Sequence, residues 1–179
     1  MNGSNAPLSV NGAVASQPKT MMTHIDRAER AFAAGALHRR LARLFHKRAG
    51  EGLCVKPFDH FPPARQHRLL AAAALQPDEA PVIACLFSEQ HWTLLTTRRL
   101  LWQKHTHRAA LPLDIVSHAA IHPEKSIRRH HDLPITLNRV KIITTTGQVH
   151  DIELEAGPCC FGFQYLLRKV TRRPSPSSA

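Results

Sequence analysis

Residues 91–102, HWTLLTTRRLLW, place two apolar runs on either side of a polar Thr-Thr-Arg-Arg centre. Both runs are rich in Leu, Thr and Trp, a composition that favours β-strands. A turn near Thr97-Arg98 would fold one run back against the other. The segment therefore predicts a β-hairpin in the middle of a small antiparallel barrel.

The only two tryptophans of the chain, Trp92 and Trp102, stand at the two ends of this hairpin. Folding back at the turn brings both indoles to the same end of a two-stranded ribbon, where aromatic side chains can pair across strands. Two interpretations are open: the indoles fill one end of the barrel, or they form an aromatic shelf for a ligand. The turn contains neither Gly nor Asn, so the strand register stays open as well.

The sequence after the hairpin continues the strand pattern and then closes with a helix. Residues 139–156, RVKIITTTGQVHDIELEA, contain two β-rich runs joined around Thr146-Gly147, because glycine adopts the positive φ that a tight turn requires. Residues 157–173, GPCCFGFQYLLRKVTRR, begin with Pro158 and carry apolar side chains at steps near four, which predicts a closing helix.

The sequence before the hairpin predicts two helices. Residues 23–48, THIDRAERAFAAGALHRRLARLFHKR, combine an apolar stripe with basic residues on the other sides. Residues 62–75, PPARQHRLLAAAAL, begin with two prolines and are followed by Pro77, which prevents continuation. Helices, then strands from Pro81 onward, then one helix indicate an α+β fold with an antiparallel sheet.

The succession of motifs over residues of about 80–171 resembles a bacterial pleckstrin-homology-like (PH-like) domain. The resemblance implies a bent antiparallel β-barrel of about seven strands capped by a C-terminal helix. It also implies a binding module rather than a catalyst, with a groove beside the last strands and the helix where a peptide strand can add. The matching positions are Thr96, Thr97, Arg99, Leu100, Leu101 and Trp102, then Leu111, Pro112, Leu113, Asp114 and Ile115, then Thr146 and Gly147.

The resemblance divides the chain into four parts. We expect a disordered tail over 1–22, a basic helical extension over 23–77, the PH-like domain over 78–173 and a second disordered tail over 174–179. The first hairpin loop of the domain would be Ser88-Glu89-Gln90, short and acidic. Members of the family that bind lipids carry basic residues in this loop, so the departure argues against phosphoinositide binding.

The chain is strongly basic, with 24 Lys and Arg against 13 Asp and Glu and a formal net charge of +11. Such a balance favours an acidic contact: a protein surface, a nucleic acid or an anionic membrane. The alternative is a charged face that is only solvated. The candidate binding residues are Arg39, Arg40, Arg43 and Lys47 on the first helix, and Arg128 and Arg129 in a later basic cluster.

Histidine and cysteine patterns are weak evidence for a metal or a catalytic site. His105 and His107 would share one side of a strand, and His118 and His122 one face of a helix, but zinc requires three or four ligands. No metal site, catalytic residue or cofactor is predicted. The adjacent Cys159 and Cys160 at a helix start could hold a reactive thiol, although packing is the alternative we prefer. The four cysteines, without CxxC spacing and without a secretion signal ahead of them, favour free thiols in the cytoplasm.

These observations favour a non-enzymatic binding module in which a PH-like domain engages a protein partner, for which an acidic face would be the complementary surface. Nucleic-acid binding through the basic N-terminal helix and binding to an anionic membrane surface are the two alternatives. A small-molecule substrate is not expected.

Overall fold

The computed structural model describes residues 24–121 and 137–171. The two predicted tails, together with Arg128 and Arg129, lie outside these residues. The helices are α1 (His24–Arg48), α2 (Pro63–Ala73) and α3 (Pro158–Thr171). The strands are β1 (Val55–Pro57), β2 (Pro81–Ser88), β3 (His91–Thr96), β4 (Arg99–Lys104), β5 (His107–Pro112), β6 (Val116–Ile121), β7 (Arg139–Thr144) and β8 (Val149–Glu153).

The strands form two antiparallel sheets. The first sheet has five strands in the order β1-β2-β3-β4-β5, and the second has three in the order β6-β7-β8. The α+β class, the antiparallel pairing and the C-terminal helix are therefore confirmed. The described strands make two separate hydrogen-bonded sheets rather than a closed barrel.

The central hairpin turns at Thr97-Arg98, as its sequence predicts. The turn works without glycine because the Thr96 hydroxyl oxygen accepts the backbone N–H of Arg98 at 3.1 Å and of Arg99 at 2.8 Å. Neither Thr97 nor Arg98 has a positive φ, so this turn does not require Gly or Asn.

The two tryptophans occupy the same end of the hairpin but opposite faces of the sheet. Trp92 lies across from Gln103, and Trp102 lies across from Thr93. The two indoles are thus offset by one position in the register, and such an offset puts side chains on opposite faces. The expected cross-strand pairing of the indoles is therefore wrong.

Each tryptophan belongs to a different hydrophobic core. Trp92 packs in the smaller core, between the first sheet and α2 with the turn before it, where Phe58, Phe61 and Leu69 are also buried. Trp102 belongs to the larger core, which joins side chains of both sheets with those of α1 and α3. The first sheet is therefore covered on both faces.

Helix α1 and strand β1 share the larger core with the rest of the chain. Leu41 and Phe45 of α1 are buried there, and Val55 of β1 pairs with Cys85 of β2. Helices α1 and α3 meet at Gly162, where an added Cβ would lie 2.2 Å from the Cβ of Ala49. In the described part of the chain, no helix is long and apolar enough to cross a membrane.

Candidate functional site

Three of the predicted binding residues form one row on α1. Arg39, Arg43 and Lys47 are four residues apart, a spacing that places them on one face of a helix. All three are exposed. The row lines a groove of about 570 Å³ between α1 and the segment after β1, which we call the basic groove; its other lining residues are His38, Ala42, His46, Pro57, Asp59 and His60.

Of the other three predicted residues, Arg40 is the one that the structure describes. Arg40 is exposed on the same helix but does not line the basic groove. Arg128 and Arg129 fall outside the described residues. The structure thus brings together half of the predicted set.

The wall that faces α1 carries Asp59 and His60, and histidines of α1 lie close to it. Nδ1 of His60 lies 2.6 Å from a Glu51 carboxylate oxygen, and Nδ1 of His46 lies 3.7 Å from the same oxygen. Nε2 of His38 lies 3.9 Å from Asp59. Within residues 24–121 and 137–171, no ion pair joins a carboxylate to Arg39, Arg43 or Lys47, and Asp59 is the carboxylate that lines the groove with them.

The opposite face of α1 fixes the helix to the core. Leu41 and Phe45 are buried on that face. At the border of the groove, the His38 ring donates from Nδ1 to the Pro81 carbonyl at 2.5 Å. The Arg48 guanidinium lies over the Tyr165 ring, 5.1 Å from its centroid. Arg48 is therefore part of the packing, unlike the cations of the row.

The segment around β1 is held by one carboxylate from the loop between β8 and α3. Glu155 accepts the backbone N–H groups of Leu53, Cys54 and Val55 at 2.8, 2.7 and 2.9 Å. Burial would raise the pKa of Glu155, but these three donors and the nearby Lys56 hold its pKa below the usual range. The wall of the basic groove thus depends on a residue about a hundred positions away.

Another carboxylate, that of the buried Glu79, supports the central hairpin. Arg99 donates to it from Nε at 3.0 Å and from Nη2 at 2.5 Å, and the Thr96 hydroxyl donates at 2.5 Å. Burial would raise the pKa of Glu79, but Arg99, Thr96 and the amide of Gln76 together lower it. Glu79 also raises the pKa of Arg99. The arginine of the TT-x-R motif therefore has a structural role.

Glu79 and Glu155 are the residues that the sequence did not indicate. Their partners are 20 and about a hundred positions away, so no local spacing reveals them. The available signal was one acidic residue directly before a long apolar strand and another directly before a helix.

The cysteines are unsuited to nucleophilic chemistry. Cys85, Cys159 and Cys160 are buried, and Cys54 is half-buried. Burial raises the pKa of all four, that of Cys160 to about 12. The thiols of Cys159 and Cys160 are therefore protonated at neutral pH, which argues against the reactive-thiol alternative.

The three described histidines of the two predicted pairs do not lie in the elements that their spacing suggests. His105 lies in the turn between β4 and β5, with φ of 54°, while His107 begins β5. His118 lies on strand β6 rather than on a helix, and His122 is outside the described residues. Among the side chains that are described, no three His, Cys, Asp or Glu lie close enough to hold a metal ion.

The two sheets leave a cleft of about 310 Å³ between them, lined in part by Trp102. The Trp102 ring meets His150 edge-on, with centroids 5.4 Å apart. At the rim, Lys104 Nζ lies 2.7 Å from Glu153, and burial lowers the pKa of the neighbouring His91. A ligand shelf at Trp102 stays a prediction.

The PH-like resemblance implies an added peptide strand in a groove beside the last strands and the closing helix. The Gln164 side chain of α3 donates to the Ala119 carbonyl of β6 at 3.0 Å. The helix therefore already occupies one acceptor along this strand.

The sequence matches no protein-family model, and none of the curated proteins matches it. Function therefore has to follow from this chain's own residues.

Proposed function

We propose that this chain is a non-catalytic binding module that holds an acidic segment of a protein partner in the basic groove. The observation that carries the proposal is the row of Arg39, Arg43 and Lys47, which is exposed and faces a concave surface. Charges placed in a cleft attract an oppositely charged partner more strongly than charges on a convex face. No cofactor or chemical step is part of this function.

We further propose that residues of about 78–173 have the PH-like architecture. The order of elements supports it: four antiparallel strands (β2 to β5), then three (β6 to β8), then α3. This is the succession of about seven strands and a closing helix that the resemblance implies. Helices α1 and α2 and the short β1 are additions to that plan, and α1 and β1 form the basic groove.

The facing wall favours an acidic protein over a nucleic acid. Asp59 lines the groove and would repel the continuous charge of a phosphate backbone, whereas a peptide can place single carboxylates opposite the cations. No Phe, Tyr or Trp among the described residues lines the groove, so nucleobases would find no ring on which to stack.

The test compares two double variants that lose the same charge from the same helix. Arg39→Gln/Arg43→Gln removes two cations of the groove, and Arg30→Gln/Arg40→Gln removes two exposed cations outside it. Binding of a labelled glutamate-rich peptide is measured against salt concentration for both. We expect only the groove variant to lose affinity, with slower association.

The same titrations with an oligonucleotide and with vesicles containing phosphatidylserine separate the other functions. Nucleic-acid binding predicts that both variants lose affinity for the oligonucleotide and that the salt slope falls by about 0.7–0.9 for each phosphate that is no longer neutralised. Membrane binding predicts that vesicles capture the unmodified chain and that both variants weaken alike. Either result, or equal affinity of both variants for the peptide, would overturn the proposal.

A further inference from the structure

The cations of the basic groove repeat at a regular distance. Arg39, Arg43 and Lys47 are each four residues apart on α1, a spacing that separates neighbouring cations by about 6 Å along the helix axis. In an extended peptide, side chains at alternate positions lie on the same side and repeat at about 6.4–6.8 Å. The two repeats agree within the reach of flexible arginine and lysine side chains. Three carboxylates at alternate positions of an extended segment would therefore each meet one cation.

The two walls of the basic groove approach each other closely. Nε2 of His38 on α1 lies 3.9 Å from Oδ2 of Asp59 on the facing wall. Towards the other end of the row, Nδ1 of His46 and Nδ1 of His60 lie 3.7 Å and 2.6 Å from the same carboxylate oxygen of Glu51. A helix with its side chains is about 10–12 Å across, which is too wide to enter between walls that single side chains bridge. An extended chain is narrower, and its form fits this groove.

The two walls also differ in charge. The row on α1 is cationic, whereas the facing wall contributes the carboxylate of Asp59, whose side chain is mostly exposed. Successive side chains of an extended chain point to opposite sides, so every second residue of a bound segment would face the row and the others would face Asp59. Consecutive carboxylates would place some of their charge against Asp59, where like charges repel each other. The groove therefore favours a segment whose acidic residues are separated by residues that are not acidic.

We propose that the basic groove binds an extended segment of a protein partner with acidic residues at alternate positions and basic residues between them. The acidic side chains pair with the row on α1, and a basic side chain pairs with Asp59. Ala42, which lines the groove beside Arg43, carries only a methyl group, so the backbone of the segment can lie close to α1. This inference rests on the proposed function and adds to it the conformation and the charge pattern of the partner.

Three labelled peptides of identical composition test the charge pattern on the unmodified chain. Each contains three Glu, two Lys and four Ala, with capped termini that carry no charge. The first alternates Glu and Lys over its five central positions, and the second places three Glu before two Lys in those positions. The third spaces its Glu residues four apart, which puts them on one face of a helix. Fluorescence anisotropy measures the affinities at one salt concentration. We expect the alternating peptide to bind about three- to tenfold more tightly than the other two, the contribution of one or two exposed ion pairs.

Asp59→Asn isolates the contribution of the facing wall. It should weaken binding of the alternating peptide, which loses a partner for Lys, and strengthen binding of the second peptide, which loses a repulsion. The ratio of the two affinities should fall by about two- to fivefold, the contribution of an exposed ion pair. Asp114→Asn is the matched control, because it removes the same charge from an exposed position outside the groove, and it should leave the ratio unchanged. A fall of the ratio in both variants, or in neither, would overturn the proposal.

The peptide comparison separates this inference from the proposed function. Equal affinities of the three peptides, with the glutamate-rich peptide still weakened by Arg39→Gln/Arg43→Gln, would overturn the inference and leave the proposed function standing. Tightest binding of the peptide with helical spacing would overturn it as well, because the groove would then admit a helix. If the glutamate-rich peptide did not distinguish the groove variant from its control, the proposed function would fail and the inference with it. Circular dichroism and thermal melting establish first that both Asp variants are folded.

Discussion

The Glu155 carboxylate joins the segment before β1 to the start of α3. It accepts three consecutive backbone N–H groups, and Gly52 leaves space for it, since a Cβ there would lie 2.2 Å from a carboxylate oxygen. Donors of this kind stabilise the charged form, which is why the pKa of Glu155 falls although burial opposes it. The charge of one residue thus fixes one wall of the basic groove.

Replacing Glu155 by Gln should lower the free energy of unfolding at pH 7 by about 1.5–3 kcal/mol, the range for hydrogen bonds to a charged group. The folded-state pKa of Glu155 is lowered, so its contribution is complete above the usual Glu range and disappears as the pH falls through the folded-state pKa. The difference in free energy of unfolding between the unmodified chain and the variant should therefore be constant from about pH 7 to 5 and decrease below about pH 4. Urea unfolding over this pH series measures it.

Glu51→Gln is the matched control, because Glu51 lies in the same loop and pairs with the exposed His60. An exposed pair contributes about 0–1 kcal/mol, so this variant should stay close to the unmodified chain. If Glu51→Gln and Glu155→Gln lowered the free energy of unfolding equally, the three backbone hydrogen bonds to Glu155 would make no net contribution to stability.

The two carboxylates that join distant segments, Glu79 and Glu155, were hard to predict for a physical reason. Arg99 and the two threonines were visible in the hairpin motif, but the partner that gives Arg99 its position is the buried Glu79 on a different segment. A single sequence shows residue types and local spacing. It does not show which carboxylate folds back onto which donor.

The elements themselves follow largely from local signals. The turn at Thr97-Arg98, the turn at Gly147 with φ of 82° and the helix start at Pro158 are all where the sequence predicts them. The division into two sheets and the opposite faces of Trp92 and Trp102 depend on register and long-range pairing. Periodicity alone does not determine either.

A substitution at Gly162 in α3 tests how closely this helix approaches Phe45 and Ala49, at the end of α1. An added Cβ would lie 2.2 Å from the Cβ of Ala49 and 3.0 Å from the Phe45 ring. Gly162→Ala should therefore destabilise the chain by about 1–3 kcal/mol through overpacking, although Ala favours a helix. Chemical unfolding measures the loss, and adding Ala49→Gly should recover part of it.

Gly35 in α1 is the control for helix propensity. The nearest atom to an added Cβ there is on the Arg39 side chain at 3.7 Å, an ordinary contact. Gly35→Ala should stabilise the chain by about 0.5–1 kcal/mol. If Gly162→Ala stabilised it as well, the approach of α1 to α3 would be looser than described.

At the scale of the whole molecule, the hydrophobic core crosses the boundary that the sequence suggests at residue 78. Leu41, Phe45 and Val55 belong to the predicted helical extension, yet all three are buried in the larger core. The change from basic helices to β-rich strands marks a change of secondary structure along the chain. It does not mark a break in packing, because the apolar side chains of α1 belong to the larger core. The many basic residues of α1 make this apolar face hard to recognise in the sequence.

A fragment of residues 78–173 should therefore be far less stable than one of residues 24–173. It lacks Leu41, Phe45 and Val55, each of which contributes about 2–5 kcal/mol if it behaves like other truncated core side chains. Their sum is comparable to the roughly 5–15 kcal/mol of a whole domain. We expect the fragment of residues 24–173 to show a cooperative urea transition and the fragment of residues 78–173 to show none. Circular dichroism and tryptophan fluorescence both monitor the unfolding. If the two fragments unfolded cooperatively at the same midpoint, α1 and β1 would be an appendage and the basic groove a junction between independent parts.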